Sequence, residues 1–205
     1  LVSEARRART SNVRVALPDS LSTSSILAWR SDPQKFALDL LRPVPREPSP
    51  AATFGTAFHA WVETRLGQQG LLDPDDLPGR ADGGIESDAD LAAMQEAFDA
   101  GQFGDRVPYA VEAPFSLVLA GQVVRGRIDA VYEEPDGGFL LVDWKTNRRR
   151  DADPLQLAFY RLAWAELHAI GVEQVRAGFY YVRTDDLVVY DDLPGRQELR
   201  ALLDS

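Results

Sequence analysis

The sequence predicts an α/β fold, strands in a central sheet with helices before and after them. Between Tyr109 and Lys145, three runs with strand-like alternation are separated by Ala120-Gly121 and by Glu134-Pro135-Asp136-Gly137-Gly138. Tight turns of that composition make consecutive strands antiparallel neighbours. Segments with helical spacing and capping residues stand before and after them. The 205 residues, 45% of them hydrophobic, suffice for one ordinary core. Residues 21–205 read as a single domain, and residues 1–20 as a lead segment.

Leu1 to Arg14 is polar and carries four arginines, in the manner of a linker. Leu21-Ser22-Thr23-Ser24-Ser25 offers a helix N-cap, and Ile26, Leu27, Phe36, Leu40 and Leu41 predict one or two short helices beyond it. Pro33 divides them. The segment Pro43 to Pro50 has no periodicity and reads as a connector. Phe54 to Glu63 predicts an amphipathic helix with His59 and Glu63 on one face. Gln68 to Asp90 is rich in Gly, Pro and Asp, an exposed loop without the spacing of a calcium loop. Ser87 and Asp88 cap a helix over 89–100.

Tyr109 to Leu119 is the first strand of the central set. After the third, Asp153-Pro154 opens a helix, Pro being tolerated in a first turn. Gln156, Tyr160 and Trp164 recur every fourth residue along it. Strands over 176–183 and 187–190 and a helix over 195–203 complete the chain.

The chemistry concentrates in the second and third strands. Alternation puts Arg125, Arg127 and Asp129 on one face, and Val124, Ile128 and Ala130 on the other. In the third strand Leu141, Asp143 and Lys145 share a face opposite Leu140, Val142 and Trp144. Asp129 and Asp143 then converge, with Lys145 one pleat further on. Two carboxylates and a lysine on an otherwise apolar hairpin cost stability unless they bind something. Magnesium takes carboxylate, carbonyl and water oxygens. Asp129, Asp143 and the Trp144 carbonyl supply three such oxygens, and Lys145 is placed to orient a water or stabilise charge on a phosphoryl oxygen. The plainer reading is a surface salt bridge of little energetic value.

His59 is one of only two histidines. A lone helical histidine is more often a packed or solvated residue than a ligand, but this one stands upstream of a carboxylate pair. Thr146-Asn147-Arg148-Arg149-Arg150 contains the densest basic run, either a solvated loop or a phosphate-contacting patch.

Composition excludes several classes. The absence of cysteine removes disulfides, thiolate metal sites and iron–sulfur clusters. No apolar run reaches membrane-spanning length and no signal peptide is visible, so a cytoplasmic location without membrane partners is expected. The formal net charge of −10 rules out a broadly basic nucleic-acid coat, so any grip on DNA is local or supplied by other domains. The chain begins at Leu1, which predicts a piece of a longer polypeptide. No phosphate-cradling glycine loop occurs, so no ATP motor is expected in this piece.

Four motifs in order carry a resemblance: Gly55-Thr56-x-x-His59, Gly126-Arg127-Ile128-Asp129, Val142-Asp143-Trp144-Lys145-Thr146 and Gln156-Leu157-x-x-Tyr160. Together they resemble the RecB-type PD-(D/E)xK nuclease domain of bacterial helicase–nucleases, in particular the C-terminal domain of the actinobacterial AdnB-type subunit. The resemblance runs from about Leu21 to Leu203. It implies a restriction-endonuclease-like fold, a mixed central sheet flanked by helices, and Mg²⁺- or Mn²⁺-dependent hydrolysis of DNA phosphodiesters during repair of double-strand breaks. His59, Asp129, Asp143 and the Trp144 carbonyl would hold metal, and Lys145 would be the catalytic lysine. Gln156 and Tyr160 would complete the site, Glu63 would support it, and Arg127, Thr146, Arg148, Arg149 and Arg150 would contact DNA.

The implied partners are single strands unwound by a helicase motor in the same polypeptide, and a second helicase–nuclease subunit. The sequence departs from many relatives at Asp32-Pro33-Gln34-Lys35-Phe36, where they carry a cysteine of an iron–sulfur staple. A nuclease-like fold kept for DNA-end binding or subunit docking, and a free-standing exonuclease, are the competing expectations.

Overall fold

The computed structural model describes residues 15–42, 50–66 and 88–204. The expected linker over Leu1 to Arg14, the connector from Pro43 as far as residue 49 and the loop from Gln68 as far as Ser87 lie outside the described residues; the ends of the latter two segments, Pro50 and Asp88 to Asp90, are helical rather than connector and loop.

The elements in chain order are β1 (Ser20–Ser22), α1 (Thr23–Ser31), α2 (Pro33–Leu41), α3 (Pro50–Arg65) and α4 (Asp88–Ala100). Then follow β2 (Ala110–Leu119), β3 (Gln122–Glu133), β4 (Phe139–Lys145), α5 (Leu155–His168), β5 (Val175–Tyr181), β6 (Asp186–Val189) and α6 (Arg196–Leu203). Pro33 does divide two helices: Ser22 caps α1 by accepting from the Ser25 N–H, and Asp32 caps α2 by accepting from that of Lys35. The fold is the mixed α/β arrangement expected of a restriction-endonuclease-like domain.

The sheet is organised on β3. One edge pairs antiparallel with β2 from Ala110↔Val131 to Leu119↔Gln122. The other edge is shared. The short β1 runs parallel to its start (Ser20↔Val123), and β4 runs antiparallel to its end (Ala130↔Val142 to Glu133↔Phe139). Strands β4 and β5 are parallel, joined through α5, and β6 closes the sheet antiparallel to β5. Strand β1 carried no sequence signal, because three residues reading Ser-Leu-Ser have no period to detect.

Each face of the sheet has its own apolar layer. On one, α1, α5 and α6 cover Val124, Ile128, Val131, Leu141 and Phe179. On the other, Phe58 and Val62 of α3 and Met94 and Phe98 of α4 cover Ala130, Tyr132, Leu140, Val142 and Trp144. The expected alternation holds through β4 but fails in β3. Val124 and Ile128 face the first layer, whereas Ala130 and Tyr132 face the second. The switch falls at Asp129, which drops out of the register together with the opposing Glu112. Glu112 has a left-handed backbone (φ 48°), a conformation that a non-glycine residue adopts only when its surroundings hold it there.

A polar clasp ties α4 to the β5–β6 connection. Asp185 accepts from the Gln102 N–H at 2.9 Å and the Tyr180 hydroxyl at 2.8 Å. These bonds, the backbone one foremost, hold its carboxyl below the usual range. Its contribution is therefore complete above about pH 4 and is lost only as pH falls through the lowered folded value. Asp185→Ala is expected to lower Tm by several degrees, and Asp185→Asn by less, since its amide oxygen still accepts; thermal melts at neutral pH check this.

Candidate active site

Beyond Val142 the strand β4 leaves β3 and continues beside β5, pairing Asp143↔Phe179, Trp144↔Tyr180 and Lys145↔Tyr181. The cleft so opened is spanned at its head by a side chain. Asp129 Oδ2 accepts from the Trp144 N–H at 2.8 Å, taking the place of a ladder bond. The Trp144 indole is fixed on the opposite face, stacked on Phe98 at 4.6 Å between ring centroids. The strand carrying Asp143 and Lys145 is thus held by an aromatic anchor, which keeps its odd-numbered residues facing the cleft.

Two groups of polar side chains line this opening. In the first, His59 of α3 places Nδ1 at 3.5 Å from Asp129 Oδ2 and 3.8 Å from Glu112 Oε1. One ligand atom from each of the three residues lies within 4.8 Å of the others. Val62, Glu63, Val111 and Trp144 border the same hollow. In the second group, Asp143 Oδ2 faces Lys145 Nζ at 2.5 Å. Lys145 Nζ in turn donates to Gln156 Oε1 at 3.3 Å, and Gln156 Nε2 donates to the Tyr160 hydroxyl at 2.6 Å. Tyr160 packs edge-to-face on Phe115 at 5.5 Å, and the Lys145 ammonium lies 4.8 Å from the centre of the Phe179 ring.

The electrostatics follow from crowding acids into a partly dry cleft. Burial works to lower the His59 pKa, but Asp129, Glu112 and Asp143 outweigh it and carry it from 6.5 to about 9. The imidazolium is the cation that these carboxylates hold. Burial foremost, with help from Asp143 and Glu112, pushes Asp129 upward against the opposing pull of His59 and the Trp144 N–H. Lys145 is also raised: burial opposes its charge, and Asp143 and Asp129 more than compensate. It stays an ammonium. Tyr160 is driven well up by burial and by the nearby carboxylates, which keeps its hydroxyl neutral.

The donor set of the first group suits a divalent cation. One imidazole nitrogen and two carboxylate oxygens within 4.8 Å of one another are compatible with ligand distances of roughly 2.0–2.4 Å from a common centre. His59 and Asp129 were expected there from sequence. Glu112 was not: it sits between Val111 and Ala113, and a lone acid in an alternating strand reads as solvent-facing. Asp143 stands outside this three-residue group and is turned to Lys145.

The expected DNA contacts fall in different places. Arg127 is half-buried on β3. Thr146 lies against Gly55, and its carbonyl accepts from Arg183 Nε at 3.0 Å. Arg148 and Arg149 are exposed. Arg150 is engaged, with NH1 2.5 Å from Asp186 Oδ2 and the guanidinium over the Tyr181 ring.

The sequence model of the PD-(D/E)XK nuclease superfamily matches residues 20–204. The chain belongs to that superfamily. Its nucleases use divalent metals, and the His59–Glu112–Asp129 group is a possible site for one. Solved structures also match the chain at low identity. One is SSO0001, with 14% identity, a TM-score of 0.42, and coverage of 98% of this chain and 79% of that one. Another is a Eubacterium rectale protein named "Putative exonuclease", with 11% identity, a TM-score of 0.48, and coverage of 91% and 76%. No curated protein matches the chain. Family membership stands on the sequence model.

Proposed function

We propose that this chain is a metal-dependent deoxyribonuclease domain that hydrolyses DNA phosphodiesters with Mg²⁺ or Mn²⁺. The supporting observation is the convergence of His59, Glu112 and Asp129 with the Asp143–Lys145 pair where β3 and β4 part. Sets of that kind serve phosphoryl chemistry, in which positioning and charge stabilisation do most of the work.

His59, Glu112 and Asp129 would hold the cation, with the Asp143 carboxylate and the Trp144 carbonyl at the adjoining strand as further donors. A cation held there supplies Lewis acidity and charge neutralisation at a phosphoryl group. Lys145, kept charged by Asp143, presents an ammonium to the same opening and stabilises negative charge developing on phosphoryl oxygens. Gln156 bonds Lys145 through its oxygen and Tyr160 through its amide, so it fixes the lysine's direction. Tyr160→Phe deletes the anchor of that chain, and kcat is expected to fall about fivefold with Tm little changed; single-turnover cleavage and a thermal melt check it.

The wider setting inferred is a helicase–nuclease, AdnB-type, whose motor feeds single strands to this domain during repair of double-strand breaks in the cytoplasm, with a second helicase–nuclease subunit as partner. The net charge of −10 supports dependence on such a motor, because a net acidic chain repels DNA on the whole, although Arg148 and Arg149 after β4 stand exposed. Among the described residues no helix is long and apolar enough to cross a membrane.

A second reading, a subunit-docking module without activity, is favoured by α2. That helix buries none of its residues and leaves Leu38 and Leu41 63% and 50% exposed. Gel assays on labelled single- and double-stranded DNA with Mg²⁺, Mn²⁺ or chelator, beside Asp143→Ala, separate the two readings. Metal-dependent cutting lost in the variant supports the nuclease. Absence of cutting in both the fragment and the full-length complex supports the docking module.

A further inference from the structure

Past Tyr181, the ladder partner of Lys145, the chain turns through a short 3₁₀ segment over Val182–Thr184. That turn pins both ends of the loop leaving β4. Arg183 Nε donates to the Thr146 carbonyl at 3.0 Å. Arg150 reaches the same turn, its Nη2 3.5 Å from Thr184 Oγ1, and pairs with Asp186 just beyond it. Arg148 and Arg149 stand exposed between the two ties. The run over 148–150 is continuous in sequence, and the turn brings Arg183 to it.

Arg183 is held but not neutralised. Its guanidinium lies 5.5 Å from the centre of the Phe54 ring on α3, so ring and carbonyl fix it at two points. A guanidinium anchored through Nε keeps its two terminal nitrogens as a fork, the geometry that takes two oxygens of a phosphate. Among the described residues those nitrogens have no hydrogen-bond acceptor and no carboxylate partner, and the side chain is exposed. By contrast Arg65, Arg150, Arg176, Arg196 and Arg200 each pair with a carboxylate. The acids near the turn are engaged elsewhere. Asp185 binds Gln102 and Tyr180, Asp186 binds Arg150, and Asp151 accepts from Asn147.

Helix α3 relates this arginine to the chemistry. Gly55 lies over Thr146, where a Cβ would stand 3.6 Å from its Oγ1, and His59 follows one turn later on the same helix face. Four residues of helix span roughly 6 Å, close to the rise of two nucleotides in a stacked strand. Thr146 itself directly follows Lys145.

We propose that Arg183 is a substrate-binding residue that takes an internal phosphodiester of the strand being cut, about two nucleotides from the scissile one. The strand then crosses the end of β4 beside the Arg148–Arg149 loop, and a net acidic chain grips DNA along one basic rim. The assignment rests on the nuclease reading and deepens it.

The test compares wild type, Arg183→Gln and Arg183→Lys in whichever of the fragment and the full-length complex cuts DNA. Labelled single strands with hydroxyl ends, which carry internal phosphodiesters alone, are bound in Ca²⁺ over a range of salt and cleaved in Mg²⁺. Arg183→Gln is expected to weaken binding and raise KM about tenfold while kcat stays within about twofold. The slope of log affinity against log salt should become shallower by about 0.7, the value of one phosphate contact on a single strand. Arg183→Lys keeps the charge without the fork, so it is expected to keep the slope and lose at most about threefold in affinity. A wild-type slope in Arg183→Gln overturns the proposal: with affinity unchanged there is no contact, and with affinity weakened Arg183 is only a brace on the Thr146 carbonyl. A slope equally shallow in Arg183→Lys overturns it as well, since the charge is still present. Those results leave the nuclease reading intact if Asp143→Ala abolishes cleavage. Wild-type cleavage by Asp143→Ala, or no cutting by fragment and complex alike, overturns that reading and this proposal with it.

Discussion

Asp143→Ala is expected to reduce metal-dependent cleavage by at least about 10²–10³-fold, and Lys145→Ala by a similar factor. The two side chains act as one unit. Asp143 lies almost wholly buried, its Oδ2 2.5 Å from the ammonium of Lys145, and burial alone would lower the lysine pKa were the carboxylates not beside it. Removing Asp143 takes away an oxygen donor at the cleft and also the partner that keeps Lys145 charged and directed. The double variant should therefore lose little more than either single one, since groups acting as a unit are not additive. The fold should survive, because Trp144, locked between Phe98 and Tyr180 on the opposite face, and the β4–β5 ladder hold the strand without these side chains. Cleavage rates with a thermal melt on each protein check this; wild-type rates in either variant would remove the pair from the site.

Much of this was legible because it depended on period. The parity of β4 followed from sequence alternation, and with it the placing of Asp143 and Lys145 opposite Trp144. The Gln156–Tyr160 pair was legible because a spacing of four on a helix brings side chains within bonding reach. What failed was parity in β3, where Asp129 switches faces. That switch depends on a left-handed Glu112 across the strand pair, and a local break has no period to detect. Glu112 was overlooked for the same reason. Read as one outward residue of a regular strand it is unremarkable, and only the break turns it toward His59. Arg150 shows the converse. A dense basic run reads as a phosphate-contacting patch, yet its last member is held by Asp186 and Tyr181, partners remote in sequence that local reading does not reveal.

Glu112→Gln carries the other large expectation. If His59, Glu112 and Asp129 hold the cation, Mn²⁺ at about 100 times its Kd should stabilise the wild type by about 2.7 kcal/mol, a rise in Tm of roughly 5–10 °C for a domain of this size. An amide keeps the shape of Glu112 and can still offer a neutral oxygen, but it removes a full negative charge from a hard-cation site. The Mn²⁺-dependent rise should shrink to a small fraction, with affinity by calorimetry at least about tenfold weaker. His59→Ala should do the same. Glu63→Gln is the control: it borders the hollow without joining the three-residue group, so its rise should stay near wild type. The readout is binding and needs no turnover, which separates loss of the cation from loss of Lys145 chemistry. Lys145→Ala should keep the Mn²⁺ rise while losing cleavage, and Glu112→Gln should lose both. An undiminished rise in Glu112→Gln would return Glu112 to the role of a strand residue paired to His59, and would leave the cation to Asp129, Asp143 and the Trp144 carbonyl.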